Sequence, residues 1–296
     1  MGIHKVSVIG AGTMGNGIAQ TFAQKGFQVT LFDVSPYAIS QGLNAIENSL
    51  NRLVLKEKIT TEAAQSAIDQ IQSFDRLEKA VEKADLVIEA ATENKVQKQQ
   101  IFEDLDTFTL PHCILASNTS SIKISSLEQV TQRKGKVIGM HFFNPVPLMQ
   151  LVEIIRTPDT SENVFQTIYS LAEQLDKVPV KVNDAPGFVA NRILMPMINE
   201  AVKTLESGVA GVFEIDTVMR LGMAHPMGPL RLADYIGLDV CVAILEVLAT
   251  ELNQSQHKPA ALLQDLVQQG CLGQKTGQGF YDYRQDPKHP TVHVLK

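Results

Sequence analysis

The chain has 296 residues, 44 % hydrophobic and 20 % charged, which suffices for two domains with buried cores and argues against disorder. A formal net charge of −6 and the lack of tryptophan argue against a nucleic-acid partner, which needs a basic surface and stacking aromatics; a small anionic cofactor stays open, because loops and helix ends bind anions locally. Cys113, Cys241 and Cys271 form no C-x-x-C pair and no metal-site pattern, so no metal is expected and free thiols suit a reducing, cytoplasmic location.

The first strand pattern, residues 6–9, begins too early for a signal or transit peptide in this numbering. Residues 13–25 read as a helix closed by Gly26, and 28–32 as a second strand ending in Asp33. Strand, turn, helix and strand in this order form the βαβ unit of a parallel sheet. Helical stretches follow at 38–58 and 61–72. Strands are expected at 86–90, 114–116, 137–140, 151–155 and 178–182, with a helix at 96–108. No apolar run reaches the ~18 residues of a membrane span, so no membrane partner is expected.

Strand signals all but stop at Asp184-Ala185-Pro186-Gly187. In residues 188–206, Ile193, Met197, Ala201 and Leu205 recur every fourth position, as a helix requires. Helical patterns return at 214–221, 230–252 and 260–268. The expected fold is α/β. A Rossmann-type doubly wound sheet domain, with a helical insertion after its second strand, spans residues 1–185. An all-helical domain spans 186–296.

Gly10-x-Gly12-x-x-Gly15, with Thr13 and Met14 between, directly follows a strand and opens a helix. The first glycine permits the tight turn, the second lets backbone approach a pyrophosphate, and the third lets helix and strand pack closely. Asp33 ends the second strand, where a carboxylate can accept the adenosine ribose hydroxyls and repel a 2′-phosphate. NAD is therefore expected rather than NADP. A helix-capping role for Asp33, just before Val34-Ser35-Pro36, is the alternative.

His141 ends a strand, the place where open parallel sheets bind ligands, and a neutral imidazole there can take a hydroxyl proton. Glu153 sits within Leu-Val-Glu-Ile-Ile, on the same face as Leu151 and Ile155. If that face is buried the carboxylate needs a partner, and His141 is the candidate; the alternative is an exposed edge with a solvated acid. The polar run 117–121 follows another strand end and can cap a helix or bind ligand. Asn191, early in the first helix after Pro186-Gly187, can reach into a cleft between domains.

These residues stand in stretches that resemble one family along the whole chain: the loop at 8–15, Glu89-Ala90-Ala91-Thr92-Glu93-Asn94, Ala116-Ser117-Asn118-Thr119-Ser120-Ser121, His141-Phe142-Phe143-Asn144-Pro145, residues 184–192, His225-Pro226-Met227-Gly228-Pro229 and Lys275-Thr276-Gly277-Gln278-Gly279-Phe280-Tyr281. The chain resembles the L-3-hydroxyacyl-CoA dehydrogenases, and among them the stand-alone 3-hydroxybutyryl-CoA dehydrogenases. The resemblance implies NAD-dependent oxidation of a 3-hydroxyacyl-CoA, with His141 as base and Glu153 as its partner. It implies that Ser120 and Asn191 hold the substrate's C3 oxygen and thioester region. Asp33, Glu93, Lys98, Asn144 and Lys275, with Ser120, become cofactor contacts beside the glycine loop; Ser49 and Lys56 become contacts to the CoA portion. It implies a homodimer formed through the helical domain. Arg231 departs from the family, whose members often carry Glu there. Two other readings stay open at this point: a dehydrogenase of a free hydroxy acid or sugar acid, and a non-enzymatic NAD-binding protein.

Overall fold

The computed structural model describes residues 2–293. They form two compact units that divide between Ala185 and Pro186. In the first unit, eight strands make one sheet in the order β3-β2-β1-β4-β5-β6-β7-β8. They are β1 (Lys5–Ile9), β2 (Gln28–Phe32), β3 (Ile71–Phe74), β4 (Leu86–Glu89), β5 (Ile114–Ser117), β6 (Val137–Phe142), β7 (Leu151–Arg156) and β8 (Val178–Asn183). Between β1 and β2 runs α1 (Thr13–Ala23). Next come α2 (Pro36–Leu55), α3 (Thr61–Asp69), α4 (Leu77–Val81), α5 (Lys95–Phe108), α6 (Ile124–Glu128) and α7 (Glu162–Gln174).

The strand pairs are parallel except β6–β7, and the order reverses between β1 and β4. This is the doubly wound arrangement, whose ligands bind at the carboxyl ends of the strands flanking that reversal. Strands β4, β5 and β6 are buried along their whole length, as parallel strands covered on both faces must be. Their apolar runs pack with Ile18, Phe22, Leu31, Leu50, Phe165 and Ile168 in one core. The α/β expectation holds.

Several local expectations need correction. The helix expected over 61–72 stops at Asp69, and Ile71 and Gln72 belong to β3, paired with Val29 and Thr30 of β2. Tertiary pairing overrides the apparent helical period there. Helix α7 was not among the expected elements, although Ser161 caps it and Val164, Phe165, Ile168, Leu171 and Ala172 bury one face.

The second unit contains α8 (Ala190–Glu206), α9 (Val212–Gly222), α10 (Pro229–Ile236), α11 (Leu238–Glu251) and α12 (Ala261–Gln268), with a short antiparallel pair β9 (Tyr281–Asp282) and β10 (Thr291–Val292). The stretch expected as one helix over 230–252 is two, broken at Gly237, whose φ of +106° only glycine tolerates easily. Two buried acids tie this unit together. Asp216 of α9 accepts the backbone N–H groups of Leu230 and Arg231 and the Tyr281 hydroxyl; Asp234 of α10 accepts those of Phe280 and Tyr281 and the Tyr283 hydroxyl. Among the described residues, no helix is long and apolar enough to cross a membrane.

Candidate active site

The glycine loop joins β1 to α1 at the sheet reversal. A Cβ at Gly10 would lie 2.6 Å from the Ala90 carbonyl oxygen beyond β4, and one at Gly15 would lie 1.7 Å from the Gly10 carbonyl oxygen. Glycine is thus required for loop, helix and strand to approach this closely. A Cβ at Gly12 meets nothing within 4 Å, so the backbone there faces open space. The first turn of α1 carries no acidic side chain and no side-chain cap, leaving its N–H groups and partial positive charge for an anion. Thr13 is exposed at that turn, and Met14 is half-buried against the core.

Asp33 is half-buried at the end of β2. One oxygen accepts the Ala11 N–H at 3.0 Å and the other the Ser35 N–H at 3.0 Å, which fixes the carboxylate beside the glycine loop. The cap of α2 is Ser35, whose hydroxyl accepts the Ala38 N–H. The capping alternative for Asp33 is thereby filled by its neighbour. An open glycine turn, an unneutralised helix N-terminus and a fixed acid at the second strand's end fit a dinucleotide.

A second cluster gathers where β4 and β5 end. Glu89 is fully buried and holds Lys98 Nζ at 2.7 Å from each oxygen, the Ser117 hydroxyl at 2.7 Å and the Ala91 N–H at 2.8 Å. Lys98 also lies 3.5 Å from Glu93, and its own side chain is only 1 % exposed against 40 % for Glu93. Of the two expected cofactor contacts, Glu93 is therefore the one that reaches the surface. Glu93 accepts the Thr119 hydroxyl, the N–H groups of Ser120 and Ser121, and the Ser121 hydroxyl at 2.6–3.1 Å. Its burial opposes ionisation, but the Lys98 charge and these donors outweigh it and hold the carboxyl below its usual range.

The polar run 117–121 therefore wraps an acid rather than capping a helix. The first N–H groups of α6 are instead held by Asp184, at 2.8 and 2.9 Å. Glu89 and Asp184 are polar groups to which the sequence alone assigned no role. An acid closing an apolar strand is the only signal Glu89 offers, because its partner Lys98 lies in a different element.

His141 and Glu153 face each other directly across the antiparallel β6–β7 pair. Direct partners point to the same face, so the two side chains meet, with His141 Nδ1 2.7 Å from Glu153 Oε2. Their side chains are 8 % and 3 % exposed, so the exposed-edge alternative for Glu153 is excluded. A carboxylate at Nδ1 favours the tautomer with the proton there, which leaves Nε2 basic. The Phe143 ring lies 4.6 Å from the imidazole, centroid to centroid. Asn118, just past β5, accepts the Phe142 N–H at 2.9 Å and so ties the end of β6 to the polar run.

The other expected residues lie on further elements of the two units. Asn144 is exposed just after β6. Ser49 is half-buried on α2 and Lys56 is exposed at its C-terminal end. In the second unit, Asn191 is buried in the first turn of α8, and Lys275 is exposed with Nζ 2.7 Å from an Asp239 oxygen. Arg231 donates from Nη2 to the Lys288 carbonyl oxygen at 3.0 Å.

Comparison with known proteins completes the picture. The family model of the 3-hydroxyacyl-CoA dehydrogenase NAD-binding domain matches residues 5–185, and that of the 3-hydroxyacyl-CoA dehydrogenase C-terminal domain matches residues 187–283. The chain is 51 % identical over 285 residues to a probable 3-hydroxybutyryl-CoA dehydrogenase of Bacillus subtilis, covering 96 % of this chain and 99 % of that one. It is 47 % identical over 289 residues to a 3-hydroxybutyryl-CoA dehydrogenase of Bradyrhizobium diazoefficiens, covering 98 % of each. The crystal structure of (S)-3-hydroxybutyryl-CoA dehydrogenase from Ralstonia eutropha matches with a TM-score of 0.92 at 47 % identity, covering 96 % of this chain and 100 % of that one.

Proposed function

The chain belongs to the 3-hydroxyacyl-CoA dehydrogenase family, and from that premise we propose that it interconverts (S)-3-hydroxybutyryl-CoA and acetoacetyl-CoA with NAD, through His141 and Glu153. The observation that carries this reading is the buried His141–Glu153 pair, with His141 at the same carboxyl end of the parallel strands as the glycine loop. NAD supplies the hydride acceptor for C3 of the hydroxyacyl group. His141 Nε2 takes the C3 hydroxyl proton as the carbonyl forms, and Glu153 at Nδ1 stabilises the imidazolium that results. In the reverse direction the imidazolium returns that proton to the C3 oxygen.

Ser120 and Asn191 position the C3 oxygen and the thioester region. Gly10, Gly12, Thr13, Met14 and Gly15 take the pyrophosphate, and Asp33 takes the adenosine ribose. Glu93, Asn144 and Lys275 complete the cofactor contacts, with Lys98 acting through Glu93. Ser49 and Lys56 bind the CoA portion. The unit before Pro186 binds the cofactor, and the helical unit serves substrate binding and dimerisation. Val209, Phe213, Val218, Leu221 and Met223, all exposed in and beside α9, support a homodimer through that unit. Three free cysteines suit a reducing cytoplasm.

The test offers NAD+ with (S)- or (R)-3-hydroxybutyryl-CoA and follows NADH formation. Turnover of the S substrate and little of the R supports the reading. Turnover of free 3-hydroxybutyrate in preference to its CoA ester contradicts it.

A further inference from the structure

Three formal charges adjoin at the carboxyl end of β4. Glu89 is fully buried, Lys98 lies between, and Glu93 reaches the surface. All the hydrogen bonds described above for Glu89 come from donors, the arrangement that suits an ionised carboxylate. Two carboxylates and one ammonium leave the triad with a net charge of −1.

In a doubly wound sheet the dinucleotide crosses the point where strand order reverses. Asp33 marks the adenosine side, at β2, so the nicotinamide half falls on the other side, over the ends of β4 and β5. That is where the triad lies. The nicotinamide ring is cationic in NAD+ and neutral in NADH, while the rest of the cofactor is common to both. A fixed negative charge beside the ring, on low-dielectric ground, therefore acts on the difference between the two oxidation states.

We propose that the Glu89–Lys98–Glu93 triad is a counter-charge that shifts cofactor binding toward NAD+ and away from NADH, and that Glu89 sets its balance from beneath the site. Glu89 is a positioning residue, since burial keeps it from the cofactor. The inference rests on the NAD-binding reading and is independent of which hydroxyacyl substrate is used.

The test measures dissociation constants of NADH, by its fluorescence, and of NAD+, by displacement of NADH, on the full chain. Glu93→Gln and Glu89→Gln each bring the triad to zero net charge. Both should raise the ratio of the NAD+ to the NADH dissociation constant by about fivefold or more. Glu89→Gln combined with Lys98→Met restores a net −1, and the ratio should return toward the parent value. A loss of contact or of local packing weakens both oxidation states together. Ratios within about twofold of the parent in Glu93→Gln therefore overturn the proposal, whatever happens to the individual affinities. Glu93 is 40 % exposed, so this variant keeps the test decisive even if the buried substitutions do not fold. Absent acyl-CoA turnover would overturn the substrate reading and leave this ratio measurable. If the parent binds neither nucleotide, both fail together.

Discussion

Glu153 is an acid inside a buried strand, and the imidazole of His141 is the partner that makes its burial tolerable. His141→Gln keeps a hydrogen-bonding side chain but cannot hold the transferred proton. Its turnover should fall by about 10²–10⁴-fold while NADH binding persists. Joint loss of turnover and NADH binding would instead mean that His141 maintains the fold. Glu153→Gln should lower kcat by about 10–10³-fold with KM and urea midpoint little changed, because it removes the charge that favours the imidazolium. An unaltered kcat would remove Glu153 from the mechanism. This pair was legible because strand alternation placed the acid on one face and left it needing a partner. Glu89 was not legible, since an acid closing the run Leu86-Val87-Ile88 gives no hint that its ammonium partner arrives from α5.

At the scale of elements, what could be read was periodic and what escaped was set by tertiary pairing. The run of β1, glycine loop, α1 and β2 is a local pattern and reads directly. Strand β3 escapes because Ile71–Phe74 becomes a strand only by pairing with β2. The break between α10 and α11 escapes because Gly237 stands in an otherwise continuous helical pattern. Arg133 escapes for a related reason: its value lies in what it reaches. Its guanidinium donates to Asp106 Oδ1 and to the carbonyl oxygens of Asp106, Thr109, Leu110 and Cys113, so one side chain satisfies the C-terminal end of α5 and the turn into β5. Arg133→Met should cost about 3–5 kcal/mol in urea unfolding, because it removes the charged partner of Asp106, which keeps the Gln132 N–H, and takes a donor from each of several carbonyls. A cost below about 1 kcal/mol would show that water replaces the guanidinium at that helix end.

At the scale of the whole molecule, each unit buries an apolar core of its own, and in the helical unit two buried acids bridge elements distant in sequence. Burial pushes the Asp234 carboxyl up to about 6, against the hydrogen bonds from Phe280, Tyr281 and Tyr283. A carboxyl raised on folding binds its proton more tightly in the folded chain. Its contribution to stability is thus full below about pH 4 and is lost as the pH climbs through about 6. Urea midpoints of the full chain between these two pH values should fall more steeply for the parent than for Asp234→Asn, which cannot titrate. Equal slopes would mean that Asp234 keeps an ordinary carboxylate affinity for protons. The glycine loop and the acid ending β2 made the cofactor legible, while the Glu89–Lys98–Glu93 contacts required the fold.

The most direct measurement is the decline of NADH absorbance with acetoacetyl-CoA, run beside NADPH and repeated with His141→Gln. Rapid NADH oxidation is expected, with little use of NADPH because Asp33 meets the ribose, and a variant that binds NADH but scarcely turns over. Preference for NADPH would contradict the role of Asp33. No turnover by the parent despite NADH binding would contradict the dehydrogenase mechanism itself.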